Sequence, residues 1–305
     1  MSSSGNPGSK ISSASAEIHA DLQASSDISI DSCKRVCLML GPYRNLTTLT
    51  ASTLFLHPNC QVLNHARERI FRIPQIDFLA SYTKDTFDRF IKYAIFISGK
   101  GSRGKYGGSI TYSHAFDPQY EMSSVFDSTG SKLIKQTINC LLWKESLEAS
   151  NLIRKLNVNL DVLLTSEPRL VFLLPIRHPL DCALSNLRSG HALRFEGIDH
   201  PISFELCLQA ILQEIHWFLS LQSQHKDRFF HFYAHSIDSE LFVSLARFLS
   251  LAPCENWISK ASSVMVVKAK YQHAESNIRL YKAAVNSVFS DMPQVAEHLL
   301  QFTCT

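Results

Sequence analysis

The sequence predicts an α/β fold, a three-layer sandwich in which a central and mostly parallel sheet is flanked by helices. Short apolar runs alternate with longer segments whose apolar residues recur at helical spacing, which is the pattern of βαβ units. The run at residues 169–176 is almost continuously apolar, as expected for a strand that is buried on both faces of a parallel sheet. Because βαβ units cross over in a right-handed sense, their helices cover both faces of the sheet.

The first part of the chain contains two predicted strands and two predicted helices. Residues 35–40 are a buried apolar run that ends in a Gly-Pro pair, which predicts a strand followed by a turn. Residues 46–55 follow as a helix with a Thr-rich first turn, and His57-Pro58 ends it. A second strand is predicted at residues 61–64, and residues 76–98 are predicted to be mostly helical.

The middle of the chain begins with a glycine-rich segment, residues 99–108. A short alternating strand is predicted at residues 110–114. Residues 132–156 have an apolar period of 3.6 residues and are predicted to be helical, with a break near Trp143. After the strand at residues 169–176, Pro179 stands where a helix is expected to begin.

The last part of the chain is predicted to be largely helical. Residues 204–222 are predicted to form a long amphipathic helix, and residues 228–233 are predicted to form an edge strand. Further helices are predicted at residues 239–249, 277–288 and 293–302.

Length and composition fit one large domain: 305 residues, of which 45% are hydrophobic and 19% are charged. Residues 1–32 are rich in Ser, and they lack the apolar run of a secretory signal. We predict a disordered tail there, with a short helix around residues 16–22, and a single domain over residues 33–305. The eight cysteines lie mostly in apolar runs without a CxxC pair, which indicates reduced thiols and a cytoplasmic location.

The same composition argues against several partners. The net charge of +3 is small and the basic residues are scattered, so no nucleic-acid groove is expected. No Cys/His cluster has zinc spacing, and we predict no metal. No stretch reaches the roughly 18 apolar residues that are needed to cross a bilayer, so no membrane span is expected.

The first candidate site is a P-loop-like strand–loop–helix at residues 41–48, with the sequence Gly-Pro-Tyr-Arg-Asn-Leu-Thr-Thr. The start of the helix offers unpaired backbone N–H groups and a partial positive charge. Thr47 and Thr48 add hydroxyl donors, and Arg44 adds a planar charged fork suited to phosphate or sulfate. The alternative is an ordinary βα turn that leads into a Thr-capped helix.

The second candidate site lies where the strand at residues 169–176 ends. Arg177 follows this strand directly, and Ser185 comes eight residues later, near the second turn of the next helix. In open α/β sheets, ligands bind at the carboxyl ends of the strands. The alternative is a solvated charge at a strand end, and Asp181 is placed to hold Arg177 in a salt bridge.

Together, the two motifs resemble the sulfotransferase family that uses 3′-phosphoadenosine-5′-phosphosulfate (PAPS), over roughly residues 34–251. In that family a basic residue followed by Ser-Gly-Thr-Thr binds the 5′-phosphosulfate. A strand that ends in Arg, with Ser eight residues later, binds the 3′-phosphate. The residues that match or stand at these positions are Arg44, Asn45, Leu46, Thr47, Thr48, Arg177 and Ser185.

The resemblance implies a reaction, a sulfuryl donor and a catalytic base. Members of the family often carry a His at the end of a strand between the two motifs, and His114 in Tyr-Ser-His matches it. We therefore expect transfer of a sulfuryl group from PAPS to a hydroxyl or amine of a small-molecule acceptor, without a metal. His114 would take the proton and Arg44 would stabilise charge on the leaving phosphate, with Lys144 as a second catalytic candidate.

Two departures from the family pattern favour a catalytically inactive, sulfotransferase-like binding protein as an alternative. Leu46 replaces the Gly of the phosphate loop, where a positive φ would strain it, and Asn45 could supply the left-handed conformation instead. The last glycine of the chain is Gly197, so the late Arg-Lys-Gly-x-x-Gly loop on the 3′-phosphate is missing. Lys268 and Lys270 are its possible substitutes.

A further alternative is a P-loop kinase or NTPase that uses residues 99–106. This segment fits both GxGxxG and GxxxxGK, with Tyr106 where Ser or Thr should bind magnesium. Both patterns require a helix next, whereas the following residues favour a turn and a strand.

Overall fold

One mixed sheet organises the protein. The structure is a computed structural model, and it describes residues 17–71, 73–102, 107–130, 132–198, 201–267 and 271–303. Within these ranges the strand order is β3-β2-β4-β1-β5-β6, and only β3 runs antiparallel to its neighbour. The strands are β1 Arg35–Met39, β2 Cys60–Asn64, β3 Gly108–Ser109, β4 Cys140–Lys144, β5 Leu170–Ile176 and β6 Phe229–Tyr233.

Helices cover both faces of this sheet, which confirms the predicted three-layer α/β fold. Alternate residues of β1 point to opposite faces, so that Val36 and Leu38 belong to one apolar core while Cys37 and Met39 belong to the other. The helices are α1 (residues 17–24), α2 Thr47–Phe55, α3 Arg67–Ile70, α4 Lys84–Ser98, α5 Glu121–Ser128, α6 Leu147–Lys155, α7 Leu160–Ser166, α8 Pro179–Arg188, α9 Phe204–Gln224, α10 Ser239–Phe248, α11 Glu255–Val264, α12 Glu275–Val288 and α13 Pro293–Gln301.

The helix predicted over residues 132–156 is wrong in its first half. Residues Cys140–Lys144 form β4, which is wholly buried and pairs in parallel with β1 on one side and β2 on the other. A short apolar run fits both helical and extended periods, and here the pairing with two strands decides its conformation. Only α6 follows the predicted helical pattern.

The strand predicted at residues 110–114 is also wrong. β3 has two residues, and 3₁₀ turns follow at Ile110–Tyr112 and His114–Phe116. The Ser109 side chain accepts a hydrogen bond from the Thr111 N–H and so caps the first turn. Residues 103–106 of the competing P-loop-like segment lie outside the described residues. A strand, not the helix that a P-loop requires, is the next regular element.

The predicted disordered tail does not extend over residues 17–32. Asp21 on α1 is almost buried and pairs with Arg69 and Lys100, both at 3.0 Å. Ile18 and Leu22 pack against the core, so this segment belongs to the domain. Residues 1–16 lie outside the described residues. None of the helices in the described ranges is long and apolar enough to span a membrane.

Candidate anion site and adjoining cavity

The two predicted phosphate-binding motifs meet at the carboxyl end of the sheet. β1 and β5 are neighbours and run parallel, so the segments that follow them emerge side by side. Arg44 Nε donates a hydrogen bond to Ser185 Oγ at 2.9 Å. The backbone carbonyl of Arg44 also lies 3.5 Å from Arg177 Nη1. The structure therefore brings Arg44, Arg177 and Ser185 together.

Asn45 fastens the first loop to β5. Its side chain is completely buried, and its amide nitrogen donates to the carbonyl of Pro175. Its amide oxygen accepts from the backbone N–H of Arg177 at 2.8 Å. Asn45 thus satisfies two backbone groups at the end of β5 and fixes the position of the loop.

Two residues of the loop other than its glycine have a left-handed backbone. Arg44 and Leu46 have φ angles of 63° and 61°, whereas Asn45 does not have a positive φ. The expectation that Asn45 would supply the left-handed residue is therefore wrong, because its buried side chain has the different role of binding β5. A left-handed residue other than Gly costs about 1–2 kcal/mol, so Leu46 is strained.

The start of α2 is open to an anion. Leu46 is the N-cap residue and makes no side-chain capping hydrogen bond to the helix. Thr47 is buried and Thr48 is half-buried in the first turn. First-turn N–H groups of a helix have no intrahelical partners, and the helix dipole favours negative charge at this end.

Arg177 is held by an acidic partner, as the alternative reading of the second motif anticipated. Arg177 Nη2 donates to Asp181 Oδ2 at 2.8 Å, and the two side chains are 12% and 4% exposed. Asp181 Oδ1 also pairs with His273 Nε2 at 2.8 Å. Tyr271 lies against α8 too, with its ring 4.6 Å from the Arg188 guanidinium carbon. Lys268 and Lys270 lie outside the described residues.

Further cations surround the loop. Lys144 ends β4 in a buried position, and burial lowers its pKa to about 8, with Arg44 acting in the same direction and Glu145 opposing. Burial, followed by the charges of Arg44 and Arg194, lowers the pKa of His191. Mutual repulsion among these groups makes the site favourable for an anion.

His65 is a functional candidate that the sequence reasoning missed. It directly follows β2, and its Nε2 lies 2.9 Å from Lys144 Nζ. Because Lys144 is mostly charged at pH 7 and can only donate, Nε2 accepts and Nδ1 carries the proton. Nδ1 lies 3.7 Å from Glu145 Oε1, a carboxylate that is only 2% exposed. The sequence did contain a signal for His65, because this residue directly follows a predicted strand, as Arg177 does.

A cavity of about 360 Å³ opens beside His65. Tyr43, one residue before Arg44, lines it, as does His191, whose ring centroid lies 5.0 Å from that of Tyr43. The cavity therefore adjoins the loop that carries Arg44. A small molecule in it would lie next to His65 and close to Lys144.

His114 lies elsewhere. Its side chain is 79% exposed on a 3₁₀ turn, and its Nδ1 lies 3.6 Å from Asp117 Oδ2. Tyr112, two residues before it, lines the cavity, but His114 is not among the lining residues. The structure thus places the predicted base outside the cavity that adjoins the anion site.

The protein is similar to known proteins in its structure, whereas comparison of its sequence finds no match. No family model and no curated protein matches the sequence. Mouse sulfotransferase SULT7A1 complexed with PAP is 8% identical over 93% of each chain, with a TM-score of 0.41. Sulfotransferase STF9 from Mycobacterium avium is 13% identical over 91% of this chain and 81% of that one, with a TM-score of 0.45.

A third similar structure is the sulfotransferase from Alicyclobacillus acidocaldarius, which is 10% identical over 85% of this chain and 95% of that one, with a TM-score of 0.39. All three proteins are sulfotransferases, the family that the two motifs resemble. Because these TM-scores are below 0.5, the case for a function rests on the geometry of the site.

Proposed function

We propose that the protein is a PAPS-dependent sulfotransferase that acts on a hydroxyl or amine of a small-molecule acceptor. The observation that carries this proposal is the hydrogen bond from Arg44 to Ser185, which joins the two phosphate-binding motifs in one site. A doubly phosphorylated nucleotide needs two such motifs at a fixed separation. A single phosphate would need only one.

The residues present fit the donor. The start of α2 has no side-chain cap, and it carries the hydroxyls of Thr47 and Thr48, which suits the 5′-phosphosulfate. Arg177 and Ser185 suit the 3′-phosphate, with Asp181 orienting the guanidinium of Arg177 until the phosphate binds. PAPS supplies the activated sulfuryl group, and the protein supplies orientation and positive charge.

His65 is our proposed general base. It lines the cavity next to Lys144, and its Nε2 can accept a proton from the acceptor once the Lys144 ammonium turns from it towards the leaving oxygen. Lys144 and Arg44 would offset the negative charge that develops on the leaving oxygen. We favour His65 over His114, the base that the resemblance implies, because His114 does not line the cavity.

The proposal is tested by nucleotide binding. Adenosine 3′,5′-bisphosphate should raise the melting temperature of the wild-type protein, and Arg177→Ala should abolish most of this shift. Arg279→Ala is the matched control, because Arg279 is exposed on α12 and 69% accessible. A full shift in Arg177→Ala would remove Arg177 from the site.

The same assay separates the alternative functions. A larger shift with ATP and magnesium than with the bisphosphate would favour the kinase that uses residues 99–106. No shift with either nucleotide would favour the inactive binding protein. The strain at Leu46 is the observation on which that last alternative rests.

A further inference from the structure

The cavity beside His65 has a chemical character that restricts the acceptor. We propose that the acceptor is a neutral, hydroxyl-rich molecule of about the size of one or two sugar rings, and this inference rests on the proposed function. The volume of about 360 Å³ is at the lower end of the usual range for small-molecule pockets. A large acceptor would therefore have to project from the cavity.

Nearly all of the described residues that line the cavity have polar side chains. Among the described residues that form it, no aliphatic side chain is larger than that of Ala66. An apolar phenol or sterol would leave these polar groups without hydrogen bonds, which is costly. The lining consists of Tyr43, Asn64, His65, Ala66, Arg67, Glu68, Ser102, Gly107, Ser109, Tyr112, Glu145, Glu148, His191 and Arg194.

Four of the five fixed charges on the described residues of the cavity are paired with one another, and the fifth, Glu145, accepts a hydrogen bond from the backbone N–H of Arg67. The guanidinium of Arg67 pairs with Glu148, and Glu148 also pairs with Arg194 at 3.3 Å. Arg67 is a partner of Glu68 as well, at 3.4 Å. A charged acceptor would have to break this network, whereas a neutral one can donate hydrogen bonds to carboxylates, each of which accepts several.

Asn64 gives the most specific indication. It ends β2 and lines the cavity, and its side-chain oxygen is buried and has no hydrogen-bond partner among the described residues. A buried acceptor without a donor costs about 1–3 kcal/mol, and after a small rotation of the Asn64 side chain an acceptor hydroxyl would supply the missing donor. Tyr43 and Tyr112 provide flat faces on which the C–H groups of a sugar ring can pack.

In the proposed step, the Lys144 ammonium turns from His65 towards the leaving oxygen, and the acceptor hydroxyl gives its proton to Nε2 of His65. The acceptor oxygen forms a bond to sulfur, and the bond between sulfur and the 5′-phosphate oxygen of PAPS breaks. The products are the sulfate ester and adenosine 3′,5′-bisphosphate, and the bond electrons leave with the phosphate oxygen. No oxidant or metal is required for the balance.

The test compares matched acceptors. Transfer of labelled sulfate from PAPS should favour methyl glucosides and inositol over phenol and cyclohexanol by at least about tenfold in kcat/KM, which corresponds to about 1.4 kcal/mol. Asn64→Leu should raise KM for the sugar by about tenfold or more. Asn64→Asp keeps an acceptor oxygen and should change KM by less than about threefold. Asn286→Leu is the control, because Asn286 is exposed on α12.

The outcomes distinguish this inference from the proposed function. If the bisphosphate stabilises the protein but phenol is the preferred acceptor, or Asn64→Leu leaves KM for the sugar unchanged, the acceptor assignment is wrong and the sulfotransferase proposal stands. If the bisphosphate does not bind the wild-type protein, the proposed function itself fails. The bisphosphate shift of Asn64→Leu should equal that of the wild type, which also shows that the variant is folded.

Discussion

The 2.9 Å hydrogen bond from Arg44 Nε to Ser185 Oγ joins residues that are 141 positions apart in the chain. It forms because β1 and β5 are adjacent parallel strands, so that the loop after β1 and the first turns of α8 face each other. Arg44 lies at the start of one motif and Ser185 near the end of the other. A ligand bound by either motif is therefore within the electric field of both.

Asn45→Ala should destabilise the protein by about 2–4 kcal/mol. The substitution leaves the Pro175 carbonyl and the Arg177 N–H buried without their partners. Urea unfolding would measure the change, and the exposed Asn286→Ala on α12 should change the free energy of unfolding by less than about 0.5 kcal/mol. Equal effects of the two substitutions would mean that Asn45 does not fasten the loop.

Leu46→Gly should stabilise the protein by about 0.5–1 kcal/mol. Glycine removes the strain of the left-handed backbone, although it increases the entropy of the unfolded chain. Leu206→Gly on α9 is the matched control, because Leu206 is partly exposed and has a helical backbone. This substitution should lower the free energy of unfolding by about 0.5–1 kcal/mol. If both substitutions destabilise equally in thermal or urea unfolding, Leu46 is not strained.

The fold was predictable where the apolar pattern had one interpretation. The apolar run at residues 169–176 is too short for a separate helix and too apolar for an edge strand. The structure confirms it as the buried strand β5. β4 was not predictable, because Cys140–Lys144 also fits the period of the helix that follows it. Only its pairing with β1 and β2 fixes it as a strand, and such pairing is not visible in a local pattern.

The same omission made the assembly of the candidate site unpredictable. The contact between His65 and Lys144 joins residues 79 positions apart, and it exists because β2 and β4 are neighbours. Arg44 and Arg177 could be identified because each follows a strand that the sequence predicts. Lys144 ends β4, a strand that the sequence does not predict. The hydrogen bond from Asn45 to β5 depends on contacts across the sheet, which a local pattern does not show either.

His65→Ala should reduce turnover by about 10²–10⁴-fold, the usual contribution of a general base. The bisphosphate-induced rise in melting temperature should persist, because His65 does not belong to either of the predicted phosphate-binding motifs. His114→Ala is the control and should retain turnover, since His114 lies on an exposed turn. Full activity of His65→Ala with loss in His114→Ala would instead favour the base that the resemblance implies.

The pH dependence of kcat/KM should report Lys144. Its pKa is lowered to about 8, so it loses its charge above this pH and activity should fall by about tenfold per pH unit. Lys144→Arg keeps the charge at high pH, and its profile should lack this decline even if its maximal rate is lower. An unchanged decline near pH 8 in the Arg variant would assign it to another group.

Lys135 should make stability depend on pH at a position remote from the site. Its ammonium lies 4.3 Å from the centre of the Phe55 ring and is buried, with no hydrogen-bond partner in the described parts of the chain. Burial lowers the pKa of Lys135 to about 8 from 10.5. Between these values the unfolded chain binds a proton that the folded protein does not. The contribution of Lys135 to stability therefore increases as the pH rises through this window, by at most about 1.4 kcal/mol per unit.

Lys135→Met should accordingly be more stable than the wild type at pH 7, where the wild type buries a charge. This advantage should shrink from pH 8 to pH 10, and urea unfolding of both proteins at each pH would measure it. Because both proteins contain the same buried cysteines and tyrosines, taking the difference between them cancels the titration of those groups. An advantage that stays constant over this range would show that Lys135 is not held in its buried position.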